Sequence, residues 1–118
     1  MSTADPNCIF CRIIAGTIPS TQVYADDEVV VIRDLNPQAP LHVLVLPRRH
    51  IPSIAAIGPE DGPLLARMAG AANRVASEQN VAESGYRLVI NHGQDAGQTV
   101  AHLHLHVLGG RPMTWPPG

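Results

Sequence analysis

The segment Ala101-His102-Leu103-His104-Leu105-His106-Val107-Leu108 restricts what this chain can fold into more than any other part of it. Its histidines alternate with Leu103, Leu105 and Val107, the two-residue period of a β-strand. A strand read this way sends three imidazoles to one face and aliphatic side chains into a core on the other. With 6 histidines in 118 residues, chance would produce the pattern with a probability of only ~0.015. The run therefore marks a site as well as a strand, against the plainer reading of three histidines on a solvated face. One metal ion cannot hold all three. Residues i and i+4 of a strand stand about 13 Å apart, whereas two nitrogens on one zinc ion are about 3.3 Å apart. The three must divide their work.

The rest of the chain sets the frame. Its length suits a single domain over residues 7–118, preceded by a disordered tail over residues 1–6. A net charge of -2 supplies no broad basic surface, which argues against long nucleic acid as a partner and leaves a small anionic ligand open. No apolar run approaches the length of a membrane span. The polar start, Met1 to Asn7, lacks the basic and apolar regions of a secretory signal, so a cytoplasmic location is expected.

Punctuation and periodicity place the elements. Asn7 is read as the cap of a helix over residues 8–15 that ends at Gly16. Strands are predicted over residues 21–24, 28–33 and 42–46, the last stopped by Pro47. Residues 51–57 read as one helical turn. Leu64, Leu65, Met68, Ala71, Ala72, Val75 and Ala76 recur at helical spacing in a helix over residues 63–79. A strand over residues 86–90, a loop over 91–99 and the histidine strand complete the order. It predicts an α+β fold: a mostly antiparallel sheet with one long helix and one short N-terminal helix.

Three further features carry chemistry. Cys8 and Cys11 form a C-x-x-C motif, which in a reducing compartment points to metal binding or redox work. A thioredoxin-like motif follows a strand, and none precedes this one, so metal binding is the better reading. A closed zinc site needs two more ligands from among His42, His50, His92 and the strand histidines, and spacing does not choose between them. The loop over residues 91–99 offers Gly93, Gly97, Gln98 and the Thr99 hydroxyl, which can cradle a phosphate but are also ordinary turn material. Neutral imidazole is a good nucleophile toward phosphorus, so one histidine can attack while another hydrogen-bonds the phosphate. Asp34 can bind ribose hydroxyls or simply start the turn at Asn36-Pro37.

The His-x-His-x-His run resembles the signature of the histidine triad nucleotide hydrolases and transferases. Asp34-Leu35-Asn36-Pro37-Gln38-Ala39-Pro40, His42, Pro47-Arg48-Arg49-His50, Gly97-Gln98-Thr99-Val100 and Trp115-Pro116-Pro117-Gly118 are similar to the purine nucleoside phosphoramidase branch of that family. The resemblance implies a homodimer whose two sheets join into one, and hydrolysis of purine nucleoside phosphoramidates through a nucleotidyl-histidine intermediate. By that resemblance His104 attacks phosphorus and His106 binds the phosphate. Asn91, Gly97, Gln98 and Thr99 line the phosphate and leaving-group side, Asp34 holds the ribose, and Phe10, Ile13, Ile32 and Leu35 enclose the base. It also implies a structural zinc on Cys8, Cys11, His50 and His102. With His50 and His102 so occupied, His42 is left to orient His104. Trp115 resembles a segment that reaches the partner subunit's pocket. Thr99 stands where a serine is common, and His92 has no assigned role. Other readings are a dinucleoside polyphosphate hydrolase of the same family and a nucleotide-binding adaptor with vestigial hydrolysis.

Overall fold

Two runs of aliphatic residues, Val29-Val30-Val31-Ile32 and Leu41 through Leu46, form the centre of the structure, because here both faces of the sheet are covered. The computed structural model describes residues 4–118, so residues 1–3 of the expected tail lie outside the described residues. Helix α1 (Ile9–Ala15) precedes β1 (Gln22–Ala25), β2 (Val29–Arg33) and β3 (Leu41–Pro47). Two 3-10 turns (Ile54–Ala56 and Pro59–Asp61) lead into α2 (Gly62–Glu78), followed by β4 (Tyr86–Val89) and β5 (Leu105–Gly109). The strands make one sheet in the order β1-β2-β3-β5-β4, with every pairing antiparallel. This is the α+β fold the sequence predicts.

Alternation divides the sheet between two helices. Val29, Val31, Val43, Val45, Leu105 and Val107 face α2 and pack on Met68, Ala72, Val75 and Ala76. The alanines on that helical stripe let α2 lie close to the sheet. On the opposite face Val30, Ile32, Leu44 and Leu46 pack with Cys8, Phe10 and Cys11 of α1 and its cap. A helix of 7 residues is too short to persist without such packing.

Its start differs from the sequence reading. Cys8, not Asn7, is the N-cap: its backbone is extended and its Sγ accepts the Cys11 N–H at 3.4 Å. Gly16 closes the helix in the left-handed conformation, as expected, with φ 83°. Asp5 and Pro6, read as tail, are bonded to this helix: the Cys8 N–H donates to Asp5 O at 3.0 Å and Arg12 Nε to Pro6 O at 2.8 Å.

The histidine run is the main correction. The ladder of β5 starts only at Leu105, so of the three histidines His106 alone lies in a paired strand. The alternation nevertheless holds, because Leu103, Leu105 and Val107 all enter the α2 core. Upstream of the ladder the Leu103 N–H donates to Ile51 O at 2.6 Å, in the loop after β3. Side-chain period reports which face a residue takes, whereas ladder pairing depends on where the neighbouring strand ends. At the far end Gly110 turns the chain at φ 91°, where a Cβ would come within 2.9 Å of Pro40. This close approach sets the C-terminal segment beside residues 36–40. Among the described residues no helix is long and apolar enough to cross a membrane.

Candidate functional site

Two clusters flank His104 on the α1 face of the sheet, and the proton positions on their imidazoles tell them apart. In the first, His102 is fully buried and its Nε2 donates to Pro47 O at 2.9 Å. Its Nδ1 therefore carries a lone pair, 3.4 Å from Cys8 Sγ, 3.6 Å from Cys11 Sγ and 3.2 Å from His50 Nδ1. Cys11 Sγ is 3.2 Å from His50 Nδ1. On a tetrahedral zinc ion, sulfur and nitrogen donors lie about 3.6 Å apart and two nitrogens about 3.3 Å. The four side chains thus form a potential metal site of the right size and chemistry. Burial pushes the Cys11 thiol up and His102 below the usual imidazole range, so this pocket resists both thiolate and imidazolium charge unless a cation neutralises the sulfurs.

The second cluster has similar spacing and a different wiring. His42 Nε2 lies 2.9 Å from His106 Nδ1 and 3.4 Å from Asp34 Oδ2. His42 Nδ1, however, accepts the Gln38 backbone N–H at 3.0 Å. A metal-binding histidine ordinarily donates from its second nitrogen; a metal on His42 would demand an imidazolate. The proton therefore sits on His42 Nε2 and is donated to His106 Nδ1. His106 must then carry its own proton on Nε2, at the far side of the ring. Burial, reinforced by repulsion from His104 and His42 and opposed by Asp34, pushes His106 down to about 4. His42 also lies below its ordinary value, burial outweighing Asp34.

Between the clusters His104 Nδ1 donates to the backbone carbonyl of His102 at 2.7 Å. The His104 and His106 ring centres are 5.1 Å apart. Each of the two neighbouring rings thus has its Nδ1 engaged and its Nε2 left for another partner. Phe10 packs edge-on against His104 at 5.2 Å and His102 at 5.8 Å. The expectation that His42 orients His104 is corrected: His42 bonds to His106, and a backbone carbonyl orients His104.

The other predicted residues divide. Phe10 and Ile32 are buried in the α1-side core with Ile13 packed against it, while Leu35 stands 98% exposed. Asp34 is half-buried, and its Oδ1 accepts the Asn36 N–H at 2.8 Å. Asn91 is half-buried, Gly97 and Thr99 are exposed, and Val100 packs on the α1-side core. Gln98 is bonded within its own loop and to Pro52. Its Oε1 accepts the Gly93 N–H, and its Nε2 donates to Pro52 O and Val100 O, so the side chain is spent on shaping the loop. His92 is exposed, and nothing in the structure gives it a role. The groups the sequence reading missed are backbone: Pro47 O, His102 O and Gln38 N–H. No residue type announces them.

The chain is similar to known proteins along most of its length. The family model described as the scavenger mRNA decapping enzyme C-term binding region matches residues 7–115. The chain is 45% identical over 105 residues to a purine nucleoside phosphoramidase of Escherichia coli, covering 89% of this chain and 88% of that protein. The crystal structure of a HIT family hydrolase from Legionella pneumophila is 47% identical, covers 95% of this chain and 100% of its own, and superposes with a TM-score of 0.93. A Zn-bound histidine triad family protein from Mycobacterium smegmatis is 34% identical over 89% of this chain and 76% of its own, with a TM-score of 0.76.

Two outcomes are expected. Protein purified without chelator should hold about one zinc ion per chain, and Cys8→Ser should lose most of it and melt several degrees lower; elemental analysis showing equal zinc in both would reject the ligand set. His106 titrates below the unfolded imidazole value of about 6.5, so on acidification the unfolded chain takes the proton first. Its contribution to stability is complete above about 6.5 and is lost as the pH falls toward about 4. Thermal melts of His106→Gln should therefore decline less steeply across that window than those of the parent protein, and equal slopes would contradict the assignment.

Proposed function

The chain belongs to the histidine triad family, and from that premise we propose that it is a hydrolase of purine nucleoside phosphoramidates. The observation that carries this reading is His104, whose Nδ1 is committed to the His102 carbonyl at 2.7 Å, so that Nε2 is the nitrogen left to act beside His106. The similarity to a purine nucleoside phosphoramidase along nearly the whole chain supports the choice of substrate.

In the first step His104 Nε2 attacks the α-phosphorus, the N–P bond to histidine forms, and the P–N bond to the amine breaks. The amine leaves with the bonding pair and takes up a proton from solvent. In the second step water adds to phosphorus and releases a proton to solvent, the bond to Nε2 breaks, and the nucleoside monophosphate departs from a regenerated His104. His106 donates its Nε2–H to a phosphate oxygen in both transition states, where negative charge is greatest. Asp34 takes the ribose hydroxyls. Asn91, Gly97 and Thr99 line the phosphate and the leaving group, with Phe10, Ile13, Ile32 and Leu35 around the base. Cys8, Cys11, His50 and His102 would hold zinc, which with four protein ligands would supply a structural cross-link between α1 and the segment that carries His104.

The active form is a homodimer. β1 is blunted by an irregular register between Gln22 and Tyr24, whereas the edge of β4 has no partner strand among the described residues. Beside that edge lies a groove of about 470 Å³ lined by apolar side chains that include Leu65, Met68, Leu88 and Ile90. A second copy pairing along β4 would cover both, and Trp115, 81% exposed, is free to reach across.

His104→Ala should bind adenosine monophosphate and hydrolyse adenosine phosphoramidate at less than about a thousandth of the parent rate, and acid-quenched parent enzyme should yield a nucleotidylated peptide containing His104. Near-normal turnover by the variant would end this reading, and a preference for dinucleoside polyphosphates in the same assay would move it to that substrate class. Sedimentation should give twice the chain mass for the parent and a monomer for Leu88→Arg; a parent monomer with full activity would remove the dimer from the mechanism.

A further inference from the structure

Arg111 is far from the sheet centre in sequence and has no part in the chemistry above, yet it grips the residue that sets the proton on His42. Its Nε donates to Gln38 O at 2.9 Å and its Nη1 to Pro112 O at 3.0 Å. Gln38 therefore turns its two backbone groups in opposite directions: the N–H toward His42 Nδ1 at 3.0 Å and the carbonyl toward Arg111. Gln38 lies between Pro37 and Pro40 in a segment without helix or strand, so no ladder fixes the direction of its N–H. Its side chain adds one local bond, Nε2 to Asn36 O at 3.0 Å. Arg111 ties this turn to the C-terminal segment, which Gly110 already brings against Pro40.

We propose that Arg111 is a positioning residue of the active site: by holding Gln38 it keeps the His42 proton on Nε2 and the His106 proton on the nitrogen that faces the phosphate. A neutral imidazole exists in two tautomers, and the partner of one nitrogen decides what the other offers. With the Gln38 N–H in place, His42 Nδ1 must accept. Asp34 Oδ2, 3.4 Å from His42 Nε2, also favours a proton there, so if Gln38 swings away the His42 proton moves to Nδ1 in only part of the molecules, in which its Nε2 lone pair then faces His106 Nδ1. His106 answers by carrying its proton on Nδ1. The exchange leaves the number of protons unchanged, but His106 Nε2 now presents a lone pair to a phosphate oxygen. A donor has become an acceptor, and the two repel.

This inference rests on the reading of His106 as phosphate donor, but the tautomers can be read without substrate. Arg87 supplies the control. Its Nη2 donates to Thr114 O at 3.0 Å, so it straps down the same C-terminal segment without touching Gln38. In full-length zinc-loaded protein labelled with 15N-histidine, long-range proton–nitrogen spectra of the parent should show His42 and His106 protonated at Nε2. Arg111→Ala should bring up Nδ1-protonated signals from both residues. Its kcat on adenosine phosphoramidate should fall about tenfold, with KM changed less than twofold, a smaller loss than the 10²–10³-fold cost of deleting an oxyanion donor outright. Arg111→Lys, which keeps one donor for Gln38 O, should restore most of the Nε2 pattern, and Arg87→Ala should keep it entirely. Unchanged tautomers in Arg111→Ala would overturn the proposal, as would an equal change in Arg87→Ala. If Arg111→Ala does not fold, the same comparison is made with Arg111→Gln, and a parent-like kcat there with the Nδ1 signals present would also overturn it. A parent enzyme that turns over no phosphoramidate would defeat the functional reading instead, while the spectra still decide the tautomers.

Discussion

The hydrogen bond from His102 Nε2 to the carbonyl of Pro47 governs the whole site. A fully buried imidazole must satisfy both nitrogens, and this bond commits one of them to the last residue of β3. The other nitrogen is thereby aimed at Cys8, Cys11 and His50. The same residue's carbonyl receives the Nδ1–H of His104. One residue thus connects the rim of the sheet, the cysteine pair at the start of α1 and His104. Phe10, carried between the two cysteines on α1, closes the arrangement against both rings. Because the β5 ladder does not begin until Leu105, these contacts and the Leu103 bond to Ile51 do the holding that strand pairing does elsewhere.

Neutrality is the second organising condition. Four histidines lie within two neighbouring clusters, and each additional positive charge would repel the rest in a poorly solvated pocket. Burial keeps His42, His102 and His106 below their ordinary values. Proton placement then tells the imidazoles apart, and backbone groups set it: Gln38 N–H for His42, Pro47 O for His102 and His102 O for His104. The two potential metal-sized clusters look alike by distance alone. They differ because His102 turns a donor to the backbone, whereas His42 turns an acceptor to it.

What could be read in the sequence follows from which signals are side-chain signals. The α2 stripe, the sheet strands and the leucine face of the histidine run all rest on apolar periodicity, and the structure reproduces them. Spacing alone left the partners of Cys8 and Cys11 open among several histidines. The family resemblance chose His50 and His102, and the structure brings these together. The features that were not legible share a cause. Strand onset at Leu105, Cys8 as the cap, Gln98 as a loop staple and His42 as the partner of His106 all depend on where particular backbone groups point. Such directions are fixed by tertiary geometry, and residue type does not encode them.

The alternation that marks the histidine run has a mechanical consequence beyond facing. Leu103, Leu105 and Val107 are locked into the α2 core, and a packed core admits little sliding or rotation. Each intervening histidine is then held by the residues on either side of it, at a spacing of two residues. A one-residue slip would carry the imidazoles into the apolar core and the leucines into the site. The register that stabilises one face of the sheet is therefore the register that sets the three imidazoles apart on the other. His102 meets the cysteines, His106 meets His42, and His104, between them, has its Nδ1 tied to a backbone carbonyl. Three residues of the same type acquire three sets of partners because the leucines between them are fixed in the core.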